Sequence, residues 1–331
     1  MRLSVRVRYA EPAALEPLLL AAEDLGYDGF WLSEPWGVDA FAVLGWCAAR
    51  TRRITLGSHV ASVFARTPAA TAAAAATVQS LSGGRFRLGL GTSGPGVVEG
   101  WHGVPFEQPV ERTRDTVAVL RAVLSGDKVT HAGTTLSVPL GEHRPLRTAL
   151  PDDVAPVPVY LGALGPRNQR LTADVADGWT PTPYSPDFDV ALAAPLRDRL
   201  AGNGRTVAVA PTCPVAVGAD LNALWDLERG WTALYLGGMG EFYANTARVM
   251  EQATMVESVR QRWAAGDRRA AKAAVSDDYA DAVGLFGSAA RIRKRAERYA
   301  AAGVDELVIE LRKPDLADQL ADLRAVREAL T

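Results

Sequence analysis

The stretch "RFRLGLGTSGPGVVEGWHG", residues 85–103, runs from a hydrophobic strand directly into a glycine-rich loop. Phe86, Leu88 and Leu90 alternate as in a buried strand, and five glycines and a proline follow. Glycine lets the backbone approach a ligand closely, and N–H groups exposed after a strand can bind an anion such as phosphate. The spacing matches neither a P-loop nor a dinucleotide-binding fingerprint. The loop is therefore either an anion site or a plain connector.

The composition excludes several classes of protein. The 331 residues are 48% hydrophobic and carry a net charge of −2 without a basic run, which argues against a nucleic-acid partner. Cys47 and Cys213 are too few for a disulfide framework, so we expect a reducing, cytoplasmic location. We find no signal peptide and no membrane-spanning run, and the four histidines lack the spacing of a metal site.

Outward from the opening stretch, short apolar strands alternate with helices along the whole chain. The predicted strands are 3–9, 28–34, 53–62, 85–91, 157–163, 178–182, 206–218 and 305–311. The predicted helices are 11–26, 39–51, 67–84, 109–126, 165–178, 189–202, 288–303 and 316–330. This alternation indicates parallel strands with right-handed crossovers. Eight such units predict an α/β fold, a (β/α)₈ TIM barrel formed by one domain over 1–331, with a mostly helical insertion at about 219–287 before the last unit.

The loops that follow the strands predict the kind of ligand, because barrel enzymes bind ligands at the carboxyl ends of their strands. Two of these loops are glycine-rich, three carry aromatic residues, and one carries Arg66. A flat apolar pocket beside an anion site suits a flavin-like cofactor.

Several stretches together resemble a known family: "AAEDLGYDGFWLSEPWGVDAF", "RITLGSHVASVFARTPA", "LSGGRFRLGLGTSGPGVVEGWHG", "VPVYLGALGPRN", "ADVADGW" and "YLGGMGEFY". The chain resembles the luciferase-like monooxygenase superfamily and, within it, the actinobacterial oxidoreductases that use the deazaflavin coenzyme F420. The "SGPGVVEGW" element is the most specific part, because flavin members usually carry other loops there. The resemblance implies a luciferase-like TIM barrel, a bound deazaflavin and hydride transfer.

The resemblance also implies which residues contact the cofactor. Ser62–Val63 aligns with a non-prolyl cis peptide behind the ring, and the loop from Thr92 to Gly100 would wrap the phosphodiester tail through backbone N–H groups. The cofactor residues implied in this way are Ser62, Val63, Arg66, Thr92, Ser93, Gly94, Pro95, Gly96, Val97, Val98, Gly162, Ala163, Leu164 and Gly165.

One position departs from the family pattern. Many relatives place an Asp-His pair after the second strand, where this chain has Glu34–Pro35, and a proline cannot transfer a proton. The catalytic acid would then be Glu34, His59 or Tyr9, with Glu99 and His102 as further candidates. Simpler explanations are that Glu34 orients its loop in an ion pair with Arg66 and that His59 is a packing residue. Trp36 and Tyr184 are the expected substrate contacts.

The favoured function is an F420-dependent oxidoreductase, in which the reduced deazaflavin gives hydride to an activated C=C or C=N bond of a small molecule or natural-product intermediate. The alternatives are a two-component FMN monooxygenase and a non-catalytic cofactor-binding paralogue. We expect the protein to form a homodimer and to bind a small-molecule substrate.

Overall fold

The computed structural model describes residues 1–8, 12–149 and 154–331. Its strands are β1 (Arg2–Val7), β2 (Gly29–Leu32), β3 (Thr55–Ser58), β4 (Ala61–Ser62), β5 (Phe86–Gly91), β6 (His131–Ala132), β7 (Ser137–Val138), β8 (Val159–Leu161), β9 (Gly178–Trp179), β10 (Ala208–Val209), β11 (Thr212–Val217), β12 (Leu285–Gly287) and β13 (Glu306–Leu311).

The parallel strands close into the expected barrel. The hydrogen-bonded order is β10-β9-β8-β5-β3-β2-β1-β13-β11, with β4 beside β5 and β12 beside β11. The two ends of this path, β10 and β11, are consecutive pieces of one extended segment. That segment bonds to both neighbours: the Thr212 N–H donates to the Pro181 carbonyl (3.1 Å), and the Asp305 N–H donates to the Val209 carbonyl (2.9 Å). The predicted (β/α)₈ TIM barrel is confirmed.

Helices surround the barrel and cover its mouth. They are α1 (Pro12–Asp24), α2 (Ala40–Arg50), α3 (Pro68–Leu81), α4 (Pro95–Val98), α5 (Pro109–Leu124), α6 (Pro166–Val175), α7 (Asp189–Asn203), α8 (Leu221–Gly238), α9 (Glu241–Val249), α10 (Ala253–Ala264), α11 (Arg268–Ala273), α12 (Asp277–Val283), α13 (Ala289–Ala301) and α14 (Leu316–Leu330). Within the described ranges, no helix combines the length and the apolarity needed to cross a bilayer.

Helix ends follow local sequence signals. The Asp39 carboxylate accepts the Phe41 and Ala42 N–H groups at the start of α2, and the Thr67 hydroxyl accepts the Ala70 N–H before Pro68 begins α3. The segment after β5, for which the sequence predicts an open loop, contains a short helix in the structure. Pro95 in the first turn, with its φ already suited to a helix, starts the single turn α4.

The barrel interior is filled by side chains of very different size. Four residues from four different segments of the barrel wall pack together there: Trp31, Tyr160, Ala210 and Val308. Glycines make room for the two large rings. A Cβ on Gly57 would overlap the Trp31 indole.

The strand glycine Gly57 gives a test of this packing. Gly57→Ala should lower the free energy of unfolding by about 1–3 kcal/mol, because the added methyl group overpacks the interior against Trp31. Gly45→Ala is the control, since a Cβ there meets only Leu81 Cδ1 at 3.7 Å within helix α2. That control should be neutral or gain up to about 1 kcal/mol. Urea unfolding of both variants decides the point, and equal stabilities would contradict the packing described.

Candidate active site

Two connected cavities open at the carboxyl ends of the strands. The inner cavity lies over the barrel axis and is walled by α8, α9 and α12 of the insertion. The outer cleft extends towards the loop between β2 and α2 and the turn α4. Both are lined by Arg6, Arg8, His59, Val60, Tyr235 and Tyr243, so they form one continuous site. A concave site in this position is typical of small-molecule binding in barrel proteins.

Val60 lies at the junction of the two cavities. The non-prolyl cis peptide is His59–Val60, so the expectation that Ser62–Val63 is cis is wrong. The physical reason is that β3 ends at Ser58, before the predicted strand end, and the chain re-enters the sheet only at Ala61 as β4. The Val60 side chain then fills space left by the glycines of neighbouring strands, since a Cβ on Gly91 would come within 2.5 Å of Val60 Cγ2.

His59 is held at the floor of the site by two threonines. Its Nε2 lies 2.5 Å from Thr180 Oγ1 and 3.0 Å from Thr212 Oγ1. The Thr180 hydroxyl donates to the Ala210 carbonyl (2.9 Å), so it accepts from His59, and the proton is assigned to Nε2. Burial, helped by the positive charge of Arg6, lowers the pKa of His59 to about 3. The imidazole is therefore neutral near pH 7.

Glu34 is fully engaged by Arg66. The guanidinium donates to both carboxylate oxygens, from Nη1 at 2.8 Å and from Nη2 at 2.7 Å, and Nη2 also lies 3.1 Å from Asp39 Oδ2. Glu34 further accepts the Ala40 N–H at 3.2 Å, which fixes the start of α2. Both residues line the outer cleft. The geometry matches the simpler explanation, in which this pair orients the loop.

A third cavity, a groove whose walls are largely backbone, continues outward from the outer cleft. It is lined by Gly94, Gly96 and Gly100 of the loop around α4 and by Gly238–Met239–Gly240 at the end of α8, with Trp36 and Trp101 beside them. A Cβ on Gly96 would meet nothing within 4 Å and one on Gly94 only the Met239 carbonyl, at 3.6 Å. Within the described ranges, the Gly94 and Gly96 N–H groups have no hydrogen-bond acceptor.

The next loop along the barrel follows β8, the strand beside β5. Gly162 and Leu164 line the inner cavity, and Gly165 is the N-cap of α6 without a side-chain capping bond. Because Gly165 offers no side-chain oxygen, the first N–H groups of α6 remain available, and the helix dipole favours a negative group there.

The structure reveals a buried ion cluster that the sequence did not identify. Glu310, at the end of β13, contacts Arg312 Nη1 (2.7 Å), Arg8 Nε (2.6 Å) and Arg6 Nη1 (3.3 Å). Arg312 also donates from Nε to Glu228 of α8 at 2.5 Å. Burial alone would raise the pKa of Glu310, but the three arginines hold it well below its usual range. The cluster joins the barrel to the insertion.

Four predicted contact residues have side chains in the core instead. Tyr184 is fully buried and donates its hydroxyl to Asp189, so the expectation that it contacts substrate is wrong. The side chains of Val63, Ala163 and Val98 are also buried, because they project from the loops towards the surrounding core rather than into the cavities. Tyr9 lies outside the described residues.

The remaining predicted residues are distributed around the site. Trp36, Ser62, Ser93 and Val97 line the outer cleft, and Pro95 lines the backbone-walled groove. The Thr92 hydroxyl is turned to the Ser93 carbonyl (3.2 Å). His102 lines the outer cleft, whereas the Glu99 carboxylate accepts the Phe106 N–H at 3.1 Å. The lining of the inner cavity that was not predicted residue by residue includes Arg6, Arg8, Val60, Thr180, Thr182, Glu310 and Arg312, together with Glu228, Trp231, Tyr235, Tyr243 and Tyr279 of the insertion.

Comparison with known proteins places this barrel in a family. The family model described as luciferase-like monooxygenase matches residues 2–306. The chain belongs to the luciferase-like monooxygenase family. This match covers the barrel up to the start of β13, the cleft loops and the insertion.

Two of three similar proteins carry coenzyme F420 in their names. A protein of Mycobacterium tuberculosis named as a coenzyme F420-dependent oxidoreductase is 34% identical over 98% of this chain and 99% of its own length. The 5,10-methylenetetrahydromethanopterin reductase of Archaeoglobus fulgidus is 28% identical over 89% of this chain and 88% of its own. The solved structure of the coenzyme F420-dependent tetrahydromethanopterin reductase of Methanopyrus kandleri shares the fold, with a TM-score of 0.81, 22% identity and coverage of 100% and 99%.

The lowered pKa of His59 has a consequence for stability. Below its ordinary value of 6.5 the unfolded chain binds a proton that the folded protein takes up only near pH 3. The free energy of unfolding should therefore fall by up to about 1.4 kcal/mol per pH unit as the pH drops through this interval. His59→Gln should have a shallower pH dependence of stability, measured by urea unfolding between pH 7 and 4. His143→Gln, on an exposed loop, should keep the wild-type slope. The same slope in all three proteins would contradict the neutral, buried state of His59.

Proposed function

We propose that this protein is a coenzyme F420-dependent oxidoreductase that reduces an activated C=C or C=N bond of a small molecule. The observation that carries the proposal is the continuous path from the inner cavity, through the outer cleft, to the backbone-walled groove at Gly94 and Gly96. F420 combines a flat ring with a phosphodiester tail, and this path combines the apolar Val60 side chain and two tyrosine rings at the junction with N–H groups suited to an anion further out. The relative from Mycobacterium tuberculosis that is named as F420-dependent supports the same conclusion.

The residues present fit the cofactor at both of its ends. The unpaired N–H groups of Gly94 and Gly96 and the uncapped start of α6 at Gly165 would hold the tail phosphate and its extension. Val60, at the junction of the cavities, would support the ring from below. When bound in its reduced form, the deazaflavin supplies a hydride from carbon and has little reactivity towards oxygen.

The protein's own side chains orient the reactants and exclude water. Tyr235 and Tyr243 of the insertion pack edge to face, with 4.6 Å between their ring centroids, over the mouth of the barrel, which limits the access of solvent. His59, neutral and donating to Thr180, offers a fixed dipole rather than a transferable proton. We assign Glu34 as a positioning residue for Arg66 and α2, so the proton that completes reduction comes from water or from the substrate side of the cleft.

Binding measurements test the proposal directly. Absorbance titration should show that F420 binds at least about tenfold more tightly than FMN, a difference of about 1.4 kcal/mol, because the groove accommodates a tail longer than a monophosphate. Gly96→Val should weaken F420 binding at least about tenfold by blocking backbone approach. Its fold should be retained, since a Cβ at Gly96 meets no atom within 4 Å.

The matched control is Gly202→Val in α7, where a Cβ also meets nothing within 4 Å and which lies apart from the cleft. That variant should bind F420 like the wild type. Equal affinity for F420 and FMN would favour an FMN monooxygenase. Unchanged F420 affinity in a folded Gly96→Val variant would show that the loop is only a connector.

A further inference from the structure

The arginines of the inner cavity keep hydrogen-bonding capacity that the protein does not use. Arg8 donates from Nε to Glu310, and Arg6 donates from Nε to Ser33 Oγ at 2.8 Å. Within the described ranges, both terminal nitrogens of Arg8 and the Nη2 of Arg6 have no acceptor. Both residues line the inner cavity. Because a guanidinium presents its N–H groups as a planar fork, these free donors suit a carboxylate or phosphate.

The balance of charge favours an anion in the inner cavity. The inner cavity is lined by Arg6, Arg8 and Arg312 against Glu228 and Glu310, which leaves one positive charge in excess. His59 on the same wall is neutral. One negative charge on a ligand would neutralise the cluster, whereas a dianion would leave a buried negative charge, which is costly.

The outer cleft shares Arg6 and Arg8 with the inner cavity, and the acidic and basic residues that it adds are Arg66, Glu34 and Asp39. Arg66 pairs with both carboxylates, so these three residues together carry one negative charge. The anionic end of a ligand is therefore favoured beside Arg6 and Arg8 rather than beside Arg66.

The walls of the inner cavity indicate the rest of the ligand. Trp231, Tyr235, Tyr243 and Tyr279 line it, and the Arg8 guanidinium carbon lies 3.6 Å from the centroid of the Trp231 ring. This stacking fixes the plane of the guanidinium. The Thr182 hydroxyl, which lines the same cavity, has a buried oxygen without a hydrogen-bond partner in the described structure. Aromatic walls around a fixed fork and a spare hydroxyl suit a flat molecule with one polar end.

We propose that the substrate is a planar organic monocarboxylate with a conjugated or aromatic body, and that its carboxylate binds the free guanidinium donors of Arg8 and Arg6. This inference rests on the proposed function, since it assigns the inner cavity to the substrate. The carboxylate anchors the molecule beside Trp231, and its conjugated body extends towards Val60 at the junction of the two cavities.

The experiment compares a charged probe with its neutral counterpart. Isothermal titration of the wild-type protein, saturated with oxidised F420, measures binding of trans-cinnamate, of trans-cinnamamide and of inorganic phosphate. Cinnamate should bind at least about tenfold more tightly than cinnamamide, and phosphate should not compete at equal concentration. This comparison requires no variant.

Two matched variants locate the effect. Arg8→Gln should remove the preference for cinnamate over cinnamamide and leave the F420 affinity within about twofold. Arg50→Gln is the control, because Arg50 also pairs with a glutamate (Glu16, 2.7 Å) and lies over a tryptophan (Trp46, 4.0 Å), but on the outer surface at α2. It should keep the wild-type preference.

Several results would overturn the inference. They are equal binding of cinnamate and cinnamamide, no binding of either, or displacement of cinnamate by phosphate at equal concentration. A loss of F420 affinity in Arg8→Gln would assign the arginines to the cofactor instead. If F420 itself does not bind the wild type, the proposed function fails, and the same cinnamate titration without the cofactor still decides whether the cavity selects a carboxylate.

Discussion

The buried carboxylate of Glu310 constrains the architecture of the whole site. A buried carboxylate is costly unless it is paired, and here Arg6, Arg8 and Arg312 contact it from the first and last strands of the barrel. Arg312 in turn binds Glu228 on α8, so the same network attaches the insertion to the barrel mouth. Removal of Glu310 would leave three arginines without their shared carboxylate, and removal of Arg312 would leave Glu228 without its partner. The position of the cavity walls therefore depends on this cluster.

The barrel was predictable because short apolar strands and capped helices can be recognised from short stretches of sequence. The closure of the barrel brings β1 and β13 together, and that contact is not local. The alternation of "LSVRVRY" and "DELVIEL" did hold a signal: Arg6 and Arg8 share one face of the first segment, and Glu306 and Glu310 share one face of the second. These two faces predict an ion cluster only if the first and last strands are paired, which requires that the barrel is closed.

The site itself was predictable in part. The glycine loop at Gly94 and Gly96 lines a groove, and its role in binding the cofactor tail stays a prediction. The exact end of β3 was not predictable, and an error of a few residues there moved the expected cis peptide from His59–Val60 to Ser62–Val63. Tyr184 follows a strand, as a ligand-contacting aromatic would, but its hydroxyl is bonded to Asp189 in the next helix. Only tertiary structure distinguishes these two roles.

A crystal structure of the protein with oxidised F420 would test the central claim most directly. Electron density for the phosphodiester should lie against the Gly94–Gly96 backbone, and the ring should lie on Val60, with the inner cavity beside Arg8 left free for a second molecule. A tail bound elsewhere, or a ring that fills the space next to Arg6 and Arg8, would contradict the division of the site into a cofactor path and a substrate cavity.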